Sequence, residues 1–411
     1  MYFPLAPILY SLELTYACTN SCSGCSNIWH HHRETSEDLW KQILDNIAPS
    51  TDRQKYAELI RITGGEPTLH RNFSHIIHYL DTFQIPHALF TNGRWADPMK
   101  IVEVYLSCQN FVGMLISLHG HTENIHWQFV QNSDKRVFKE TCDNIIFASQ
   151  QGLVIYTNTV LTRYNCEHID EMVTFSKNLG AECAVFNRLI GPNHPLQPTH
   201  EQLKNAIAHI ESHSMECHIG NCIPYCFFQN SSEGSNAGIE HCTISPDGWI
   251  RPDNLTNYVF GNILKQSIEE IWQSDKAMRY RTFLNQNCLQ CNALSWCRGG
   301  ERSEIIEYGL SKDRLMKQPI TKTLQKNLVF NPDWKPFPLF RIRKSMSGYI
   351  LTRYNISIPV DTELKPVLDA MNDGRTVVEL QQMFGDSLLN VIGILYEKGF
   401  IEFKISKKRN Q

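Results

Sequence analysis

LYSLELTYACTNSCSGC, residues 9–25, decides how the rest of the chain is read. Residues 9–17 are strand-like, with three Leu and two Tyr. Cys18, Cys22 and Cys25 follow at once in a C-x3-C-x2-C spacing. Three thiolates on one short loop can each hold one iron of a 4Fe–4S cluster. The fourth iron then has no protein ligand, and an open position is where a substrate or cofactor binds. A zinc site would want a fourth ligand nearby, and His30, His31 and His32 offer a Cys3His alternative; a polar loop is their other reading.

What surrounds this loop alternates in period. Strand-like runs at 9–17, 57–63, 87–92, 111–120, 153–162 and 182–191 are interleaved with helical spacing at 36–47, 73–83, 97–107, 137–152 and 168–180. Parallel strands need crossover helices, so this alternation predicts a parallel sheet or an open barrel with functional residues at the carboxyl ends of its strands. Beyond about residue 212 the period is lost. Residues 213–310 are rich in Cys, Gly, Asn and Ser and read as a small metal-held domain. Residues 311–336 are polar, contain Pro319, Pro332 and Pro336, and read as a linker. Residues 337–411 carry three alternating strands, three helical segments and a final strand, the pattern of an α+β winged helix.

Composition removes several classes of function. The chain has 411 residues, long enough for two to four domains, and 42% of them are hydrophobic, enough for a real core. A formal net charge of -3 gives no basic footprint, so no nucleic-acid partner is expected. No apolar run of membrane-spanning length occurs, and MYFPLAPILYSLEL has neither a basic lead-in nor a cleavage site, so a cytoplasmic chain without a membrane partner is expected. There are 14 cysteines, which in that compartment point to metal or redox chemistry before disulfides. Cys108, Cys142, Cys166 and Cys183 lie in periodic segments and read as core thiols.

The cysteine loop after the first of six strand–helix units resembles the radical S-adenosylmethionine (radical SAM) superfamily. TGGEP at 63–67, TNG at 91–93, SLHG at 117–120 and NTVLT at 158–162 carry the resemblance further. It implies a partial (βα)6 TIM barrel over about residues 1–212. It also implies that Cys18, Cys22 and Cys25 bind a 4Fe–4S cluster and that Gly64, Gly65, Glu66 and Pro67 hold the methionine amino group of S-adenosyl-L-methionine. Asn92, Ser117 and Asn158 become candidate polar contacts to that cofactor, with Arg136 as a further carboxylate partner. The family's aromatic residue before the third cysteine is here Gly24, so the resemblance leaves adenine stacking to another ring, with Trp29 and Phe186 as candidates.

Cys222, Cys226, Cys242 and then Cys288-x2-Cys291-x5-Cys297 resemble the auxiliary-cluster extension called SPASM, with a zinc ribbon as the alternative. Asp253 and Glu301 stand where the family often has further cysteines, which implies one auxiliary 4Fe–4S cluster rather than two. Cys226, Cys242, Cys288, Cys291 and Cys297 compete for its four positions, with Cys222 in reserve. Residues 337–405 resemble the leader-recognition domain of ribosomal peptide maturases, which take a leader as an added strand.

The resemblance therefore implies an enzyme that acts on a precursor peptide by hydrogen abstraction through a 5′-deoxyadenosyl radical. Its partners would be a peptide with its leader, an external electron donor and a separate small leader-binding protein. The layout resembles cyanobacterial-type maturases, some of them spliceases that excise a tyramine unit and leave a β-amino acid. Epimerisation, crosslinking and a sulfatase-maturase-like oxidation are the alternatives. A non-enzymatic alternative is an iron–sulfur sensor with a DNA-binding winged helix, against which GGEP argues. No residue is singled out as a catalytic acid, base or nucleophile.

Overall fold

The computed structural model describes residues 3–25, 27, 35–47, 57–213, 216–229, 234–321, 330–345, 348–353 and 356–404. Trp29, His30, His31 and His32 lie outside the described residues, as do Lys407, Lys408 and Arg409 at the basic end of the tail. The chain divides into two compact units, Ala6–Ile320 and Met1–Leu5 with Thr321–Gln411.

The larger unit is built on one sheet. Its strands are β1 (Leu9–Glu13), β2 (Leu59–Thr63), β3 (His87–Thr91), β4 (Phe111–Ser117), β5 (Ile155–Leu161), β6 (Cys183–Arg188), β7 (Cys217–Ile219), β8 (His241–Ile244), β9 (Trp249–Arg251) and β10 (Gly261–Asn262). Spatial order is β10-β9-β8-β1-β2-β3-β4-β5-β6-β7, with every pair from β8 through β1 to β7 parallel. The six expected strand–helix units are present, and β7 and β8 extend the parallel run at its two ends to eight strands. The TISPDGWIRP stretch, expected in a separate small domain, extends this sheet through the antiparallel β8–β9–β10 meander.

Helices α1 (Glu37–Ile47), α2 (Phe73–Asp81), α3 (Pro98–Leu106), α4 (Glu123–Val130), α5 (Val137–Gln150), α6 (Ile169–Asn178) and α7 (His200–Ser212) provide the crossovers. Their starts are written locally. Asp97 caps α3 ahead of Pro98, Thr122 caps α4, and Thr199 with Gln202 forms a capping box on α7. Each such cap contributes about 1 kcal/mol. Helix α4 and helix α7 were not marked by the sequence period.

Strand alternation sorts side chains between two faces. In β5, Ile155, Thr157, Thr159 and Leu161 are buried, while Tyr156, Asn158 and Val160 are half-buried on the other face. In β2, Ile60 and Ile62 are buried and Leu59, Arg61 and Thr63 are only partly so. Central β1 is buried throughout. The main core packs Tyr10, Leu12, Ile60, Ile62, Leu89, Met114 and Ile116 against helix residues Trp40, Ile43, Ile76 and Ile145.

Short helices α8 (Ile268–Trp272), α9 (Asp275–Arg281), α10 (Leu294–Cys297) and α11 (Arg302–Ile306) follow the meander. Residues 311–320, read from sequence as the start of a linker, belong to the larger unit, where Asp313 and Leu315 are buried.

The smaller unit holds β11 (Lys335–Pro338), β12 (Arg341–Lys344), β13 (Tyr349–Arg353), β14 (Ile356–Val360), α12 (Lys365–Asn372), α13 (Val377–Phe384), α14 (Leu388–Glu397) and β15 (Ile401–Lys404). Strands β12, β13 and β14 form an antiparallel sheet, and β11 pairs antiparallel with β15. Pro4 bridges to Ser345, so the first residues of the chain join this unit.

Candidate functional site

Parallel pairing brings the carboxyl ends of β1 to β6 to one edge, and the first cysteine loop sits there. Cys18 and Cys25 are exposed and Cys22 is half-buried. Without a cation the loop is electrostatically unfavourable to thiolates: partial burial, then Cys25 and Cys18 beside it, push the Cys22 thiol up to about 12. Crowding by the surrounding chain, which desolvates them although their side chains reach solvent, likewise raises Cys18 and Cys25. A bound iron cluster reverses that bias, since coordination deprotonates a thiol.

The loop is held from five sides. Asn92, after β3, donates to Thr19 Oγ1 at 2.9 Å and to Cys18 Sγ at 3.6 Å. Arg94 donates through Nη1 to Thr19 O at 3.0 Å and Asn20 Oδ1 at 3.3 Å. Its Nη2 and Nε are fixed by Asp134 at 2.8 Å and Glu140 at 2.9 Å. Asn132 donates to Thr19 O at 2.6 Å, Ser23 N–H donates to Phe129 O at 2.9 Å, and His194 Nε2 lies 2.9 Å from Ser23 O. Arg94, Asn132, Phe129 and His194 escaped the sequence reading. Only Arg94 had a signal there, its position right after TNG.

The GGEP segment packs against the entry to the cysteine loop. A Cβ on Gly64 would lie 2.3 Å from Thr15 O, and one on Gly65 2.3 Å from Ala17 O. Gly64 also holds φ at +134°, a region that favours glycine. The two glycines thus admit the chain entering the cysteine loop, to which Gly65 N–H and Glu66 N–H donate at 2.7 Å each, through Thr15 O and Ala17 O. Pro67 opens a short 3-10 turn. The Glu66 side chain is fully buried and accepts from Thr68 N–H, Thr68 Oγ1, Thr91 Oγ1 and Asn92 N–H at 2.6–3.2 Å. Burial pushes its carboxyl up and these donors oppose the shift. Its carboxylate is a strut between the ends of β2 and β3.

Ser117 and Asn158 are register partners on β4 and β5, both half-buried, and Asn158 Oδ1 accepts from Asn187 Nδ2 on β6 at 2.5 Å. Phe186 is not with them. It is fully buried on the opposite face of β6, among Ile169, Met172, Leu203 and Ile207, so alternation of the strand removes it from the nucleobase role. The space beside Gly24 is filled instead by Phe129, whose Cε2 is 2.6 Å from a Cβ built there, and by Leu189. Arg136 is largely exposed and paired with Asp134 at 3.0 Å.

The second cysteine set comes together from two segments. Cys226, Cys288, Cys291 and Cys297 line one cleft with Tyr225, Met316 and Lys317. Cys242 is not among them: on β8 its side chain is fully buried in the main core with Tyr10, Ile244 and Ile250. Cys222 is buried, with Cys297, Glu301 and Asp313 acting on its thiol. Of the scattered cysteines, Cys142 and Cys166 are buried, and Cys108 and Cys183 are half-buried. Asp253 and Glu301 are also buried; burial, then the charge of Glu301, pushes the Asp253 carboxyl up to about 8.

Spacing bears on which metal each set suits. Among the described residues, the groups whose ligand atoms close to within 4.8 Å of one another are Asp81–His87–Cys108 and Asp170–His209–His213, so neither cysteine set is that tight. Zn–S bonds of about 2.3 Å would draw four thiolates closer than this. A cubane takes one thiolate per iron and tolerates the wider spread.

The known proteins this chain is similar to agree with that chemistry. Residues 12–176 match the radical SAM superfamily, and residues 236–292 match SPASM, an iron–sulfur cluster-binding domain. The chain is a radical SAM enzyme. Mycofactocin maturase MftC of Mycolicibacterium smegmatis is 25% identical over 332 residues, covering 75% of this chain and 81% of that protein. PqqA peptide cyclase of Ruegeria pomeroyi is 22% identical over 339 residues, covering 77% and 87%. In fold, this radical SAM chain is similar to SuiB of Streptococcus suis bound to precursor peptide SuiA, with TM-score 0.62, 16% identity and 76% of each chain covered. No helix among its described residues is long and apolar enough to cross a membrane.

Proposed function

We propose that this radical SAM enzyme modifies a ribosomally made precursor peptide. The observation that carries the reading is the pair of cysteine sets in one unit: a three-thiol loop at the strand ends and a four-thiol cleft. The first set leaves one iron of a 4Fe–4S cluster open. The second supplies four thiolates, which suits one fully ligated auxiliary 4Fe–4S cluster. S-adenosyl-L-methionine at that iron, with one electron from an external donor passed through the cluster, would supply the hydrogen-abstracting chemistry for an unactivated carbon. The chain's own groups position and shield that chemistry. Asn92, Arg94 and Asn132 fix the loop, the backbone of Gly64–Pro67 lies against it, and Asn158, Asn187 and Ser117 offer polar contacts to a cofactor. The curated relatives bearing maturase and peptide-cyclase names span three quarters of the chain, which supports a peptide substrate.

The smaller unit completes the reading. Its β12–β13–β14 sheet, three helices and β11–β15 pair support a winged-helix-type domain that takes a leader peptide by strand addition. The layout also supports the maturases named above that excise a tyramine unit. The test is co-expression with a candidate precursor followed by mass spectrometry. Loss of one tyramine unit supports excision. Loss of two hydrogens means a crosslink, and deuterium uptake from solvent without other change means epimerisation. An unmodified peptide in every case, with active cofactor cleavage, removes the peptide reading. Deletion of 321–411 tests the leader-binding role, with leader affinity expected to fall on the order of 100-fold, about 2.7 kcal/mol.

A further inference from the structure

The stretch 313–320 is bolted to the barrel at one end and covers the four-thiol cleft at the other. Asp313 is fully buried and receives Arg188 Nη1 at 2.9 Å and Nη2 at 2.6 Å, from the last residue of β6. It also accepts from the backbone N–H of Glu301 and of Leu315, each at 2.9 Å. Burial pushes the Asp313 carboxyl up, but Arg188 outweighs this and holds it below the usual range. Arg314 donates to Leu189 O, and its own N–H donates to Glu304 Oε2 at 2.8 Å. Gly300, with φ at +73°, makes room for this approach: a Cβ there would lie 2.6 Å from Met316 Cε and 2.9 Å from Asp313 Oδ2.

Past that anchor, three residues of the stretch meet the thiols. Met316 Sδ lies 3.9 Å from Cys288 Sγ. Lys317 N–H donates to Cys226 Sγ at 3.2 Å, and Ile320 N–H donates to Cys291 Sγ at 3.4 Å. Asn292 N–H donates back to Ile320 O at 2.9 Å, closing the strap beside Cys291. Lys312 and Lys317, both exposed, add positive charge at the rim of the cleft.

We propose that residues 313–320 are a redox-tuning strap: the backbone N–H groups of Lys317 and Ile320 donate to two thiolates of the auxiliary cluster and raise its reduction potential. A donor on a ligand sulfur stabilises the extra negative charge of the reduced cluster more than the oxidised state. Backbone donors suit this role because the Asp313–Arg188 pair fixes the strap against the barrel. The same amides at the end of a free linker would not be held at the sulfurs.

The inference rests on the auxiliary-cluster reading, and the experiment separates the two. The full chain is reconstituted anaerobically with iron and sulfide, and both clusters are titrated by EPR against a series of mediators. Lys317→Pro and Ile320→Pro each remove one N–H. Each is expected to move the auxiliary cluster's midpoint to a more negative potential, with the first cluster unchanged. Lys317→Ala keeps the N–H and drops the charge, and is expected to move the midpoint less than Lys317→Pro. Wild-type potentials in both proline variants would overturn the strap's role. So would an equal shift in Lys317→Ala, which would assign the effect to charge. Loss of the auxiliary irons from both proline variants with the fold retained would make the strap scaffold only, and overturn tuning. A wild-type chain that takes up only one cluster, lost on changing Cys18, Cys22 and Cys25, would instead sink the auxiliary-cluster reading itself.

Discussion

The two cysteine sets differ in how they are made. Cys18, Cys22 and Cys25 come from one loop, so spacing along the chain nearly fixes their spacing in space. Cys226 and the Cys288–Cys297 run are separated by the β8–β10 meander and two helices, and only tertiary packing brings them into one cleft. The first set is exposed or half-buried at the strand ends, and three thiols would leave one iron of a cluster without a protein ligand. The second is covered by a strap that donates to its sulfurs. On the function proposed above, the contrast would separate a set built to react from a set built to hold its ligands closed.

The largest expected effect tests the open set. Changing Cys18, Cys22 and Cys25 together to Ala should abolish formation of 5′-deoxyadenosine and leave about four irons per chain, those of the closed cluster. Product chromatography and iron assay read both outcomes. Cofactor cleavage by the triple variant would erase the distinction, because a closed cluster has no site for it.

The next effect tests membership of the closed set. Cys226→Ala should remove the auxiliary irons, halving a total of about eight. Cys242→Ala should keep them all and cost only on the order of 1 kcal/mol of stability, as a change in a packed core. Iron content and thermal unfolding of the two variants decide it. Retained irons in Cys226→Ala, with loss in Cys242→Ala, would reverse the assignment made from the cleft.

This pair also marks where sequence ran out. The strand–helix alternation, the cysteine loop and the strand-end segments were legible because each depends on local spacing. The choice among Cys226, Cys242 and Cys222 was not, because it depends on which face of β8 a side chain takes and on the path of the chain between distant segments. Cys242 follows strand alternation into the core, and so does Phe186 on β6. The linker reading of 311–336 failed over 311–320 for another reason. Polar composition marks a linker when charges are solvated, but Asp313 is polar and buried, matched by an Arg188 far away in sequence. Glu66 shows the same limit: the motif does not reveal that its buried carboxylate takes Thr91 and Asn92, at the end of β3, as partners.

A smaller effect sharpens the account of how the open loop is held. Arg94 is mostly buried, neutralised by Asp134 and Glu140, and caps Thr19 O and Asn20. Charge-assisted bonds of this kind contribute about 1.5–3 kcal/mol each. Arg94→Ala should therefore slow cofactor cleavage on the order of tenfold, about 1.4 kcal/mol, without changing the auxiliary cluster's EPR signal. Arg94→Lys, lacking the planar fork, should recover little of it. An unaltered rate in Arg94→Ala would mean that Asn92 and Asn132 suffice to hold the loop.

The smallest expected effect concerns what stands on the closed side where further cysteines were absent. Asp253 and Glu301 are buried there, and burial with the charge of Glu301 raises Asp253 to about 8 from an ordinary value near 4. The folded state therefore holds a proton that the unfolded chain gives up earlier. A raised carboxyl contributes its full share of stability below its unfolded value and loses it as pH rises through about 8. Asp253→Asn keeps a neutral side chain of the same size at every pH. Its unfolding free energy should match wild type near pH 4 and pull ahead as pH rises toward 8, by about 1.4 kcal/mol per pH unit at most. Iron content should stay at the wild-type value, since a protonated carboxyl is a poor partner for iron beside thiolates. Parallel unfolding curves from pH 4 to pH 8 would show that Asp253 folds ionised. Loss of iron in Asp253→Asn would make it a ligand and the closed side a two-cluster site.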